Sequence, residues 1–378
     1  MNPFVRRVLL GVGLATAFAT VALGTSGCGL TPVPHSTAVA ADTPATPPAT
    51  PEPAAASGSQ PEPAADVTCN DLTNPAQVAP LFAEPVNLAP PTRTFEYVGA
   101  AIAQEWIVRQ AGGVACQWSD PEGISTSEGR FLAGIDLRLL PASGPQWQAF
   151  SDAEGDGSNV RFVCSEYGSC QYDRYTATGW WLTLDAFDID ALASPTEASL
   201  RTLSEPIFGA IASTAEALPA PDPAWTAPTP ELSFGGGCTG AITGDRLAAA
   251  LGVGGTFSSE IGNSAALDLV GGSDCRWTQG DSFTGPLVYI QVLPGGAWAQ
   301  QAAKAAMEAN GAPVPSPAVA GVPAGDTALY HHVDSTALDI VLGGTWIKIA
   351  LGNGPEIAGH PIEDSLIAIA TDIAAHAH

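Results

Sequence analysis

Basic residues are scarce in this chain: 13 Lys and Arg stand against 38 Asp and Glu, for a formal net charge of −25 over 378 residues. Lysine occurs only as Lys304 and Lys348. Nucleic acid is a polyanion gripped through Lys and Arg, so it is excluded as a partner. The same repulsion excludes recruitment to anionic lipid headgroups by a basic patch. No apolar run reaches the roughly 20 residues of a membrane-crossing helix; the stretch from Val8 to Leu23 is shorter and is broken by Gly11 and Gly13. Catalytic signatures are missing as well. There is no Gly-x-Ser-x-Gly, and no serine stands three residues before either lysine. The glycine-rich pieces at Gly235–Gly237 and Gly252–Gly255 lack the following Lys-Ser/Thr of a phosphate-binding loop and read as loops. No catalytic residue and no cofactor is expected.

The first thirty residues are informative. Arg6-Arg7, the apolar stretch and the small-residue run Gly24 to Gly27 have the order of a secretory signal peptide. Thr25-Ser26-Gly27-Cys28 resembles the lipobox of bacterial lipoproteins, with Thr25 where that family prefers Leu. The resemblance implies cleavage before Cys28 and palmitate-type acylation of its sulfur and amine. The alternative is cleavage after Ala38-Val39-Ala40, which would give a secreted chain. Cysteine parity favours the first: seven cysteines less Cys28 leave an even set, as expected for disulfides in an oxidising compartment. Stable anchoring needs more than one acyl chain, at about 0.8 kcal/mol per buried CH₂. The expected location is the outer face of the cytoplasmic membrane, with the lipid as the membrane contact.

Residues 1–27 are thus read as signal peptide and 28–66 as the lipidated Cys28 with a disordered arm of Pro, Ala, Thr, Ser and Glu, polyproline II in character. Fully extended at about 3.1 Å per residue, it reaches on the order of 100 Å. A second Pro-rich stretch, 218–231, separates two halves, 67–217 and 232–378, that repeat one order of landmarks. Cys69 and Cys238 each open a half, each followed by a helix and then by Cys116-Gln117-Trp118 or Cys275-Arg276-Trp277. Ile135–Pro141 and Val288–Pro294 follow as alternating strands. Next come Trp147 and Trp298 in helical stretches, then the strand segments at Gly179-Trp180-Trp181 and Gly344-Thr345-Trp346, and closing helices at Thr196–Leu218 and Ile362–Ala375. An ordered set of this kind argues for internal duplication. The fold class expected is α+β: two tandem related domains, each an antiparallel sheet covered by helices on one side.

Equivalence of the halves selects disulfides Cys69–Cys116 and Cys238–Cys275. Cys164 and Cys170, six apart and without counterpart, then close a hairpin. Trp118 and Trp277 share a strand face with the cysteine two before them and are expected in the core.

Three groups of polar residues merit weighing. Asp152, Glu154 and Asp156, with Gly157, resemble the start of a calcium loop. The Glu such loops carry at their twelfth place is replaced by Val163, so a solvated turn is the simpler reading. Asp185, Asp188 and Asp190 could serve a cation, a carboxylate-based hydrolase or solubility alone. His331, His332, His360, His376 and His378 invite zinc, but adjacent histidines on a strand point to opposite faces and the last two sit at the terminus. No metal site is expected.

The lipobox, the Pro/Ala/Thr arm, an early Cys and a Cys-x-Trp before a strand resemble actinobacterial cell-envelope lipoproteins of unknown function. The layout is also similar to the extracellular sensor domain of mycobacterial serine/threonine kinases. The resemblance implies an α+β domain and carries no catalytic residues. The expected role is a non-catalytic module that binds a small molecule, a glycan or an envelope protein. The alternatives are a cell-envelope hydrolase using carboxylates such as Asp185 or Asp188, and a purely structural assembly factor.

Overall fold

The computed structural model describes residues 59–88, 101–119, 133–154, 157–165, 168–222, 238–261, 265–279, 287–309, 314–331, 335–352, 356–357 and 359–377. Cys28 and most of the arm lie outside them.

The first half begins with short helices α1 (Cys69–Leu72) and α2 (Pro75–Val78). Then follow β1 (Asn87–Leu88), α3 (Gln104–Gln110), β2 (Val114–Ser119), β3 (Gly134–Pro141) and α4 (Gly144–Glu154). It ends with β4 (Val160–Ser165), β5 (Ser169–Tyr175), β6 (Trp180–Phe187) and α5 (Glu197–Glu216). The second half has α6 (Cys238–Ala241), α7 (Gly244–Leu251), β7 (Phe257–Ile261), α8 (Ala265–Leu269), β8 (Ser273–Gln279) and β9 (Leu287–Leu293). After these come α9 (Ala297–Ala309), β10 (Thr327–His331), β11 (Ser335–Leu342), β12 (Thr345–Gly352) and α10 (Ile362–His376). Two antiparallel six-stranded sheets result, ordered β1-β2-β3-β6-β5-β4 and β7-β8-β9-β12-β11-β10. The orders are identical strand for strand, so the duplication extends to topology.

Alternation in the strands sorts side chains onto two faces. On the first face of sheet one, Trp118, Ile135, Leu137, Leu139, Leu182 and Leu184 are all but sealed from solvent and meet α5 through Leu200, Phe208 and Ile211. Thr196 caps α5, its hydroxyl accepting from the Ser199 N–H at 3.2 Å. Sheet two repeats the arrangement with Trp277, Ile290, Ile340, Ile347 and Ile349. These meet Leu366, Ile369, Ala370 and Ile373, spaced for one face of α10. Cys69–Cys116 and Cys238–Cys275 tie the opening helix of each half to the strand bearing the buried tryptophan, and Cys164–Cys170 joins facing residues of the β4–β5 hairpin.

Two expectations need correction. Helices cover parts of both faces of each sheet, because the second faces also carry large apolar residues. Trp147 and Phe150 of α4 pack on Trp181, and α9 packs Trp298, Ala299 and Ala303 near Trp346. These residues form one cluster with Ile102, Trp106, Ile107 and Leu293, so a third core joins the halves. Helix α3 is its pivot. The Trp106 ring meets Trp298 edge-on at 5.8 Å, Trp298 Nε1 donates to Gln110 Oε1 at 2.6 Å, and Gln110 Nε2 donates to the Pro294 carbonyl at 2.8 Å.

The second correction concerns the boundaries of the first half. Ala64, assigned to the arm, is 1% exposed and donates its N–H to Gly112 O. At the other end, Pro219 accepts from Trp180 Nε1 at 2.8 Å, so the start of the Pro-rich stretch packs on the first half.

Candidate functional site

Strand register places residues of neighbouring strands in rows across a sheet. One row on the second face of sheet one runs Gln117, Asp136, Asp185, Gln171 and Val163 from β2 to β4. All five are at least partly exposed, Val163 by 47%. The next row runs Ala115, Arg138, Thr183, Asp173 and Arg161. Helix α4 and the shared core cover the apolar end of this face around Leu140 and Trp181. The first of these polar rows forms an open floor, while Thr183 and Asp173 of the second are buried.

A pocket of about 160 Å³ opens at the β2–β3 end of this floor. Its wall is α3, which contributes Glu105 and Arg109, one turn apart and joined as an ion pair. Its base is Gln117, Asp136 and Arg138, beside the Cys69–Cys116 disulfide. Arg138 pairs in turn with Asp185. Burial pushes the Glu105 carboxyl up to about 7 against the opposing pull of Arg109. Burial likewise raises Asp136 to about 6, opposed by Arg138 and by a hydrogen bond from Gln117. Both acids therefore exchange protons near neutrality, and the pocket offers two guanidiniums, two carboxyls and an amide at close quarters. That set can bind polar groups of either sign.

Of the acidic cluster weighed in the sequence, Asp185 joins this network through Arg138 and faces Asp136 across β3–β6. Asp190 instead accepts the Ala83 N–H at 2.7 Å, pinning a loop, and Asp188 adopts a left-handed φ of 51°. Asp152 and Glu154 end α4, with Asp152 accepting from Gln148 Nε2 at 2.7 Å; Asp156 lies outside the described residues. The histidines are not gathered. His331 lies 3.4 Å from Glu363, His376 Nδ1 is 2.8 Å from the Asp372 carbonyl, and His360 is exposed on a two-residue strand. His332 and His378 are outside the described residues. Among the described residues, no three His, Cys, Asp or Glu side chains are grouped to hold a metal ion. Trp118 and Trp277, at 0% and 1% exposure, are core.

Glu105, Arg109, Asp136 and Arg138 were not singled out by the sequence reading. A signal for two of them exists: in Ile135–Leu139 the charged residues alternate with buried leucines and isoleucine, so Asp136 and Arg138 share the face away from the core.

No family model, no curated protein and no solved structure matches the chain.

Proposed function

We propose that this chain is an extracytoplasmic lipoprotein, tethered through Cys28, that binds a small polar molecule or a glycan on the open face of its first sheet. Three disulfides suit folding in an oxidising compartment. No helix among the described residues is long and apolar enough to cross a membrane, so the attachment rests on the lipobox-like segment. The observation that carries the binding role is the pocket walled by Glu105 and Arg109 and floored by Asp136 and Arg138. Native mass spectrometry of the chain exported from a cell-wall-containing host tests it. A discrete added mass, lost in an Asp136→Asn/Arg138→Gln double variant, is expected. A bare protein, or an adduct indifferent to those changes, overturns the reading.

The hydrolase alternative has one observation in its favour, the cross-strand placement of Asp136 opposite Asp185. Their tie through Arg138 makes a charge network the simpler account. Conversion of wall fragments by the purified chain, abolished by Asp136→Asn and by Asp185→Asn, would establish it instead.

A further inference from the structure

The second sheet holds a buried amine that the binding role leaves unused. Lys348 on β12 and Asp339 on β11 are direct cross-strand partners, with Lys348 Nζ 3.0 Å from Asp339 Oδ1. Their side chains are 2% and 0% exposed. The Tyr330 and Trp346 rings stand 4.7 and 5.7 Å from Nζ, and both residues also direct polar groups at the Asp339 carboxyl. An amine and a carboxyl thus touch in a dry, aromatic-walled space.

As an ion pair this arrangement is costly, since each buried ion forfeits its hydration. Burial pushes the Asp339 carboxyl above its ordinary range, towards the neutral acid that an amine can attack. The first sheet solves the same problem differently. Strand register makes Asp173 the counterpart of Asp339 and Thr183 that of Lys348. Asp173 is satisfied by the Thr183 hydroxyl at 2.8 Å and by Arg161 at 3.2 Å, whose guanidinium is no nucleophile. The first sheet also has a covalent cross-strand clamp, Cys164–Cys170, with no counterpart disulfide in the second.

We propose that Lys348 and Asp339 condense into an intramolecular isopeptide bond that staples β11 to β12. The ammonium first passes a proton to the carboxylate. The neutral Nζ then attacks Cγ; the C–N bond forms, the C–OH bond breaks, and hydroxyl and proton leave as one water. Ammonium plus carboxylate equals amide plus water, so no oxidant, reductant or co-reactant is required. Exclusion of water from the site favours the condensed side, and the neutral amide removes the burden of two buried charges. Tyr330 is the group beside the carboxyl suited to donate a hydrogen bond to it during the attack.

The sequence makes the test direct. Beyond Lys304 the chain has no arginine and only one lysine, Lys348, and no cysteine. The full exported chain is purified, unfolded, reduced and digested with trypsin, then its peptides are weighed. An amide at Lys348 abolishes the single cleavage site, so residues 305–378 should emerge uncut and lighter by exactly one water molecule. The Lys348→Arg variant retains a cation but cannot form this amide, and should yield 305–348 and 349–378 at full mass. Release of two full-mass peptides from the wild-type chain, or an uncut peptide that has lost no water, shows an ion pair only and overturns the proposal. Neither result depends on whether the pocket of the first sheet binds a ligand.

Discussion

The two sheets share strand order and first-face chemistry, yet their second faces diverge row by row. In sheet one the outer row is Gln117, Asp136, Asp185, Gln171 and Val163, all accessible to some degree. The matching row of sheet two is Arg276, Tyr289, Ala350, Ala337 and Tyr330, of which the last three are buried. Small residues let cover approach closely; carboxylates and amides at those places would lose hydration without partners. One copy of the fold therefore has a face given over to packing, and the other keeps it open. The inner rows tell a related story: both sheets bury an aspartate at the same place, but the first surrounds it with arginines and the second with one lysine and two aromatic rings. The difference teaches where binding can be sought, because only in the first sheet is the row accessible along its whole length.

The sharpest way to break this comparison is to remove the aspartates. Asp339→Ala removes the proposed staple and leaves the Lys348 amine without its partner in a sealed space, and should cost about 3–5 kcal/mol or more in chemical denaturation. Asp173→Ala should cost less, since Arg161 is partly exposed and can turn to water. Equal losses would mean that the two inner rows are equally dry. The disulfides come next. From loop lengths of 47 and 37 residues against 6, Cys69–Cys116 and Cys238–Cys275 should each contribute about 4 kcal/mol and Cys164–Cys170 about 2. Paired serine variants measured by urea unfolding check that order.

Much of this was legible beforehand. The period-two strands, the closing amphipathic helices and the Cys-x-Trp landmarks are local signals, and repeating them in order made the α+β class, the two related halves and the cysteine pairing readable, though not the strand order. The open face was not. Whether Asp136 sees water depends on which helices lie over the second face, and α3, which supplies Glu105 and Arg109, is brought there by tertiary packing rather than by any spacing in the chain. The shared core escaped for the same reason: Trp106 and Trp298 are 192 residues apart in sequence and meet only when the halves dock. The acidic runs were conspicuous in sequence, yet Asp190 pins a loop and Asp152 pairs within its own helix. Density of charge in the chain did not indicate convergence in space.

Protonation sharpens the contrast between the faces. Glu105 has an ordinary carboxyl value near 4.5 when unfolded and is raised to about 7 in the fold. Below the lower value both states hold the proton; between the two the fold alone holds it. Stability linked to Glu105 is therefore full in acid and lost as pH rises through about 7, by at most about 3 kcal/mol. Asp136, raised to about 6, adds a smaller change of the same sign. Denaturation midpoints measured from about pH 5 to about pH 8 should fall, and Glu105→Gln should flatten most of the fall. An unchanged slope in the variant would place the titrating groups elsewhere.

The smallest effects come from exchanging equivalent residues of the outer rows. Gln171 and Ala337 occupy the same place in their sheets, the first partly exposed and the second at 1% exposure. Gln171→Ala removes one hydrogen bond to Arg161, which keeps its contact with Asp173, so stability should change by no more than about 0.5–1 kcal/mol. Ala337→Gln forces a methylene and an amide, four extra heavy atoms in all, beneath the cover of sheet two, and should cost about 1–3 kcal/mol through overpacking and lost hydration. The asymmetry matters more than either value. Were Ala337→Gln as mild as Gln171→Ala, the cover over the second sheet would yield to a polar side chain, and that face would become a second candidate for ligand binding.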